Sequence, residues 1–393
     1  MDPSNYGSIP VIVAVNETLI RISSLTLTDV RLCFPMNCAQ THVEHFSFTS
    51  PQTDHRQPTL AETKAMLTMI ELMPNLVSLA ISDHNILADE TLALPLSLPR
   101  LQMLSFDGRF SGFEFLWKHL LIMPHTQLKL RLRVTGSDSV HDSAFYTAIG
   151  AHLKRRGQAA PQDHTYRVTI DNHVWFVHGD PPLFQTVKVT EIPHAPTAAI
   201  SLTPIDIVLE FDDFFQHAAQ YSLLHLCDLT EDHTRMRVEH LEITSNLAYA
   251  NLGSARPDEF SLLGWQGLKT LVLGDIWCTG WLMPHLQRRQ GSLFTVFPEL
   301  KQLELRDIQP DGYEIFMDLY EMERAIKRIF VNLRAGLEAR GRSDSQKMKT
   351  LAIHGSCVPK DWMVSEVTID WCNLSMIWDG EGWEDHWESP FHD

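Results

Sequence analysis

Twenty histidines and six cysteines are the residues in this 393-residue chain most able to do chemistry, and their spacing decides whether they do. Zinc asks for Cys and His in short, paired separations. His42 and His45 stand close, as do His173 and His178, and Cys33 and Cys38 could meet across a turn, yet two ligands make no site, no Cys-x-x-Cys occurs and no His joins a Cys at zinc spacing. Asp385, His386, Glu388 and His392 form a carboxylate–imidazole group of ligand type near the C-terminus. His354-Gly355-Ser356-Cys357 sets a thiol beside an imidazole, the pairing a nucleophile needs. It follows an apolar alternating string, however, where small residues serve to turn the chain. Neither G-x-G-x-x-G, G-x-x-x-x-G-K, G-x-S-x-G nor H-E-x-x-H is present, so the short signatures of nucleotide, acyl-transfer and zinc-protease chemistry are missing. The expectation is no catalytic residue, no cofactor and no metal, with the histidines and the scattered cysteines in structural roles.

The remaining chemistry is recognition by outward-facing polar residues. These sit inside a recurring string of apolar, two residues, apolar, one residue, apolar. It appears at Ile22-x-x-Leu25-x-Leu27, Val43-x-x-Phe46-x-Phe48, Leu76-x-x-Leu79-x-Ile81 and Leu101-x-x-Leu104-x-Phe106. It returns at Val238-x-x-Leu241-x-Ile243, Leu268-x-x-Leu271-x-Leu273, Leu300-x-x-Leu303-x-Leu305, Met348-x-x-Leu351-x-Ile353 and Val364-x-x-Val367-x-Ile369. The last apolar positions alternate, as in a short strand with one buried face. Residues between them then face the other way: Ser24, Thr26 and Thr28, His45 and Ser47, Ser78, Ala80 and Ser82 early on, and His240, Glu242, Thr270, Val272, Gln302, Glu304 and Arg306 later. The early stripe is small and uncharged, the late one more charged. The candidate partner-binding residues are His240, Glu242, Thr270, Gln302, Glu304 and Arg306.

The elements that must position them follow. The string is the L-x-x-L-x-L signature of leucine-rich repeats, a strand followed by a helix or irregular arc. Its spacing is irregular and the Asn after the strand is missing. An Asp two residues on (Asp29, Asp83, Asp275, Asp307) serves as a turn former. Thr59-Leu60-Ala61-Glu62 is a capping box for a helix through Leu72, with Met66, Met69, Ile70 and Met73 as its apolar face. A second helix starts at Asp142 or Ser143, carries Phe145, Ala148, Ile149, His152 and Leu153 on one side, and stops at Gly157. The longest runs from about Gly312 to Arg340, with Ile315, Leu319, Ile326, Phe330, Leu333 and Leu337 buried. Arg334, Arg340 and Arg342 complement its C-terminal dipole, and Gly341 ends it.

Residues 126–211 depart from the pattern. Leu128, Leu130, Leu132 and Val134 alternate as a strand, and Tyr166-Val168-Ile170 with Val174-Phe176 predicts a hairpin turning at Asp171-Asn172. Residues 371–393 hold four tryptophans and six carboxylates without Lys or Arg, which reads as a cap on the last repeat or a docking tail. The fold class is therefore α/β: an irregular leucine-rich-repeat-like solenoid over 1–370, a curved parallel sheet with outer helices and an inserted hairpin, then the tail.

Asp plus Glu outnumber Lys plus Arg by 49 to 32, for a net charge of −17, so the expectation is no nucleic-acid partner. At 44% apolar the chain can bury a large core. It has no signal peptide and no run of ~18 apolar residues, which predicts no membrane association and a cytoplasmic or nuclear place.

Met73-Pro74-Asn75-Leu76-x-x-Leu79, Leu98-Pro99-Arg100-Leu101-x-x-Leu104 and Phe297-Pro298-Glu299-Leu300-x-x-Leu303-x-Leu305 resemble the leucine-rich-repeat region of fungal F-box-type proteins over residues 20–370. The resemblance implies a non-catalytic protein–protein interaction scaffold that holds a partner on its concave face, as substrate recognition does in F-box ubiquitin-ligase receptors. In that family an N-terminal F-box recruits the ligase adaptor. Here Met1 leads almost directly into the first strand, so the expectation is a chain with no recognisable F-box. Two other readings stay open: a hydrolase-type enzyme with its site in the irregular middle, and a purely structural repeat protein.

Overall fold

The computed structural model describes residues 22–28, 41–49, 60–83, 86, 96–135, 144–159, 164–174, 183–193, 206–213, 237–245, 265–274, 279–280, 282–290, 293–306, 319–341, 347–354 and 375–378. In chain order the elements are β1 (Ser24–Thr28), β2 (His45–Thr49), α1 (Leu60–Glu71), β3 (Ser78–Asp83), β4 (Leu96–Ser97), β5 (Met103–Arg109), α2 (Phe110–His119), β6 (Leu120–Leu121), β7 (Gln127–Thr135), α3 (Ala144–Ala159), β8 (His164–Val174), β9 (Leu183–Pro193), β10 (Asp206–Asp213), β11 (Val238–Ser245), β12 (Thr270–Leu273), a 3-10 turn (Met283–Gln287), β13 (Arg289–Gln290), β14 (Leu293–Phe294), β15 (Gln302–Arg306), α4 (Leu319–Gly341), β16 (Thr350–His354) and β17 (Ser375–Trp378). The chain is mixed α/β, with mostly parallel pairing. It divides into two units, Met1–Phe145 with Ala198–Glu210, and Tyr146–Thr197 with Phe211–Asp393.

In the first unit the strands run β1-β2-β3-β5-β7-β10, and every pairing from β1 to β7 is parallel and in register. Parallel strands need a crossover between them, and the long intervals between strings supply it. Phe46, Leu79, Leu104 and Leu128 share one buried row, and Phe48, Ile81, Phe106 and Leu130 the next. The lateral ladder begins before the strands: Glu44 N–H donates to Ser23 O, Val77 to Glu44, Gln102 to Val77 and Gln127 to Gln102. Side chains reinforce it, with Asn75 donating to Thr41 O at 2.7 Å and Thr126 Oγ1 to Leu101 O at 2.8 Å. An Asn thus bridges neighbouring turns ahead of the strand rather than after it.

α1 runs from Leu60 to Glu71 where a helix through Leu72 was expected, with Met66, Met69, Ile70 and Met73 all buried; Thr59 lies outside the described residues. α2 was not foreseen. It starts directly after β5 and buries Phe110, Phe113, Phe115 and Leu116, with the Phe113 ring 5.0 Å from that of Phe106. Gly112 permits its close approach, since a Cβ there would lie 3.1 Å from Ile86 Cβ.

In the second unit the order is β9-β8-β11-β12-β15-β16-β17, all parallel except the β8–β9 pair. Leu241, Leu271, Leu303 and Leu351 form one buried row, and Ile243, Leu273, Leu305 and Ile353 the next.

Several expectations are corrected here. β8 runs unbroken through Asp171 and Asn172, which pair with Thr186 and Gln185, so the hairpin turns beyond Val174. The eleven-residue pairing outweighs a local Asx turn. α3 passes Gly157 and ends at Ala159, just before Pro161. The strand beside β16 is Ser375–Trp378, inside the segment read as cap or tail. The string at Val364–Ile369, Asp29, Asp275 and Asp307, the six cysteines and the start of the long helix fall outside the described residues.

Arg340 joins the long helix to the rest of its unit. Expected to complement the helix dipole, it is fully buried. Its guanidinium donates to Leu286 O at 3.3 Å, Phe297 O at 3.0 Å and Val296 O at 2.7 Å, and lies 4.5 Å from the Phe294 ring centre. Burial, helped by Arg289 nearby, pushes its pKa down to about 10, so it stays charged at neutral pH. Phe297 holds a positive φ of 49°, costly for a bulky side chain. Arg340 thereby grips the turn that leads into β15.

Candidate functional site

Because β11, β12, β15 and β16 are parallel and in register, their outward residues stack in rungs. One rung is His240, Thr270, Gln302 and Thr350, and the next is Glu242, Val272, Glu304 and Ala352. All six predicted partner-binding residues (His240, Glu242, Thr270, Gln302, Glu304, Arg306) are half-buried on this one face. Val272, expected to face outward with them, is fully buried on that same face. The gap between the two carboxylates of its rung is bridged from β15. Arg306 donates to Glu304 at 2.6 Å on its own strand and to Glu242 at 2.6 Å two strands away. Two strand spacings are ~10 Å, a reach only a long cation spans.

The neighbours extend this network. His354 Nε2 lies 3.8 Å from Glu304 and His240 Nε2 3.7 Å from Glu242. Burial would lower the Arg306 pKa, but Glu304 and Glu242 outweigh it and raise it. Burial, then the charge of Arg167, lowers the pKa of His240 against the opposing pull of Glu242, so the imidazole is neutral at pH 7. Further along, Thr244 Oγ1 donates to Asp171 at 3.0 Å and leans over Gly274, where an added Cβ would meet Thr244 Cγ2 at 2.6 Å. The arrangement presents fixed donors and acceptors on a rigid sheet, and no nucleophile–base pair is among them.

The sequence reading overlooked the rim of this face. Glu239 at the start of β11 is followed by Lys269, Lys301 and Lys349, each one residue ahead of its own strand, and each lysine N–H donates to the carbonyl of the residue before it in this row at 2.7–2.9 Å. The Lys269 ammonium pairs with Glu239. Lysines ahead of adjacent strands stand only ~4.8 Å apart at the backbone, so they repel one another and favour an anion nearby. The signal was present, since Lys occupies the second position of three successive strings.

In the irregular middle, Tyr166 and Glu191 oppose one another across β8 and β9, both buried, and His152 is buried on α3. Among the described residues there is no cluster of three metal-ligating side chains, and no helix is long and apolar enough to cross a membrane. The group Asp385, His386, Glu388 and His392 lies outside the described residues. Compared with known proteins, the chain matches no family model, and no curated protein matches it.

Proposed function

We propose that this chain is a non-catalytic protein–protein interaction scaffold of the leucine-rich-repeat type. It binds a protein partner across the polar face of β11, β12, β15 and β16, and is related to the substrate-recognition region of F-box ubiquitin-ligase receptors. The observation that carries the reading is the rung alignment. Successive strings bring His240, Glu242, Thr270, Gln302, Glu304 and Arg306 onto one face, with Arg306 held by two carboxylates. A side chain so fixed loses little entropy on binding, which favours recognition over a mobile charged surface. The lysine rim supplies an edge for acidic residues of the partner.

The test is affinity capture with wild-type chain and with a Gln302→Ala, Glu304→Ala, Arg306→Ala triple variant, followed by titration of the purified partner. The expected result is one recurrent partner whose affinity falls at least about tenfold in the variant. Recovery of the cullin adaptor with it supports the ligase connection. A folded bait that holds nothing, or a partner bound equally by the variant, overturns the scaffold reading.

A further inference from the structure

A second charged surface lies in the first unit, on the face of β5 and β7 opposite the core. Leu128, Leu130 and Leu132 point inward, so Lys129, Arg131 and Arg133 all stand exposed on the other side. Register sets Ser105 beside Lys129, Asp107 beside Arg131 and Arg109 beside Arg133. Arg109 is exposed as well. One carboxylate, Glu210, serves two of these cations, at 2.7 Å from Arg131 and 3.7 Å from Arg133. Among the described residues of β5, β7 and the neighbouring β10, four cations therefore share this face with three carboxylates, Asp107, Glu210 and Asp206, in a chain whose net charge is −17. Arg109 directly opposite Arg133 is a like-charge pair, unfavourable in the free protein and relieved by an anion laid between them.

We infer that this strip docks an extended acidic peptide of a partner protein, independently of the face proposed above. The geometry selects that occupant. Alternate residues on β7 are ~6.6 Å apart, the same repeat at which an extended peptide presents alternate carboxylates on one side. Lys129, Arg131 and Arg133 thus match three acidic residues spaced by two, each within reach of its own cation. Arg131 and Arg133 already hold a carboxylate in this way through Glu210.

The test is fluorescence anisotropy of a labelled peptide of about twelve alternating Glu and Thr residues, long enough at ~3.3 Å per residue to overrun β7. Oligothymidine of equal length and an alternating Lys–Thr peptide serve as competitors. The strip binds the Glu–Thr peptide, more weakly as salt rises, and Lys129→Glu with Arg133→Glu lowers affinity about tenfold. The milder Lys129→Gln lowers it about two- to threefold without reversing charge. Lys64→Glu on α1, exposed and remote in sequence, leaves it unchanged. No binding, binding indifferent to the strip variants, or an equal loss in Lys64→Glu overturns the inference. Tighter binding of oligothymidine overturns the peptide as occupant and points to nucleic acid.

Discussion

Replacing Arg340 by Met tests whether a buried cation can stabilise a fold with no carboxylate among its hydrogen-bond acceptors. The guanidinium donates three hydrogen bonds, to Leu286 O, Val296 O and Phe297 O. Bonds from a charged donor are worth about 1.5–3 kcal/mol each, or about 4–9 kcal/mol together. Against them stands desolvation. Burial pushes the pKa well below the ordinary guanidinium value, to about 10, and at ~1.4 kcal/mol per unit that is about 3 kcal/mol. Phe297 O also accepts from Leu300 N–H, so the variant orphans fewer carbonyls than three. Arg340→Met, close in length, therefore loses about 3 kcal/mol, and Arg340→Lys, which keeps the charge without the planar fork, about 2 kcal/mol. The assay is urea unfolding followed by far-ultraviolet circular dichroism, with amide exchange read along α4 and the turn before β15. Exchange should rise at Phe297 first, because that left-handed turn loses its clamp. Buried ions replaced by apolar groups have stabilised other proteins. If Arg340→Met is as stable as wild type or more so, desolvation outweighs the bonds and the reasoning fails.

Two further outcomes follow from the second unit. The folded-state pKa of His240 is lowered below its ordinary 6.5, so the unfolded chain takes up the proton first. Stability then falls as pH drops through and below 6.5, and His240→Gln flattens that slope in urea midpoints measured at pH 7.5 and 5.5. A slope unchanged by the substitution removes His240 as its source. Gly274→Ala places a methyl 2.6 Å from Thr244 Cγ2 and 3.0 Å from Thr244 Cα. It costs about 1–3 kcal/mol in thermal melts, part of it recovered in a Gly274→Ala, Thr244→Ser double variant. Absence of any cost would mean the β11–β12 pair yields easily at that end.

The strands at eight of the nine strings were legible, because period-2 apolar alternation reports which face is buried wherever the strand sits. α1 was legible for a similar reason, since its capping box is a local signal. What depended on distant partners was not. Asp171-Asn172 has turn chemistry, yet a partner strand overrode it. Arg340 has dipole-complementing chemistry and an ideal position for it, yet three carbonyls from residues 43 to 54 positions earlier took it inside. Val272 occupies an outward position, yet it is buried, in the rung whose two carboxylates Arg306 bridges from the next strand. The Arg131–Glu210 pair joins residues 79 positions apart. Pattern within the chain determined the buried rows of the strands and the place of α1, since those preferences act over one strand or one helical turn. Only the tertiary structure decided which charges meet, because lateral register places residues from separate strands about 5 Å apart whatever their distance in sequence.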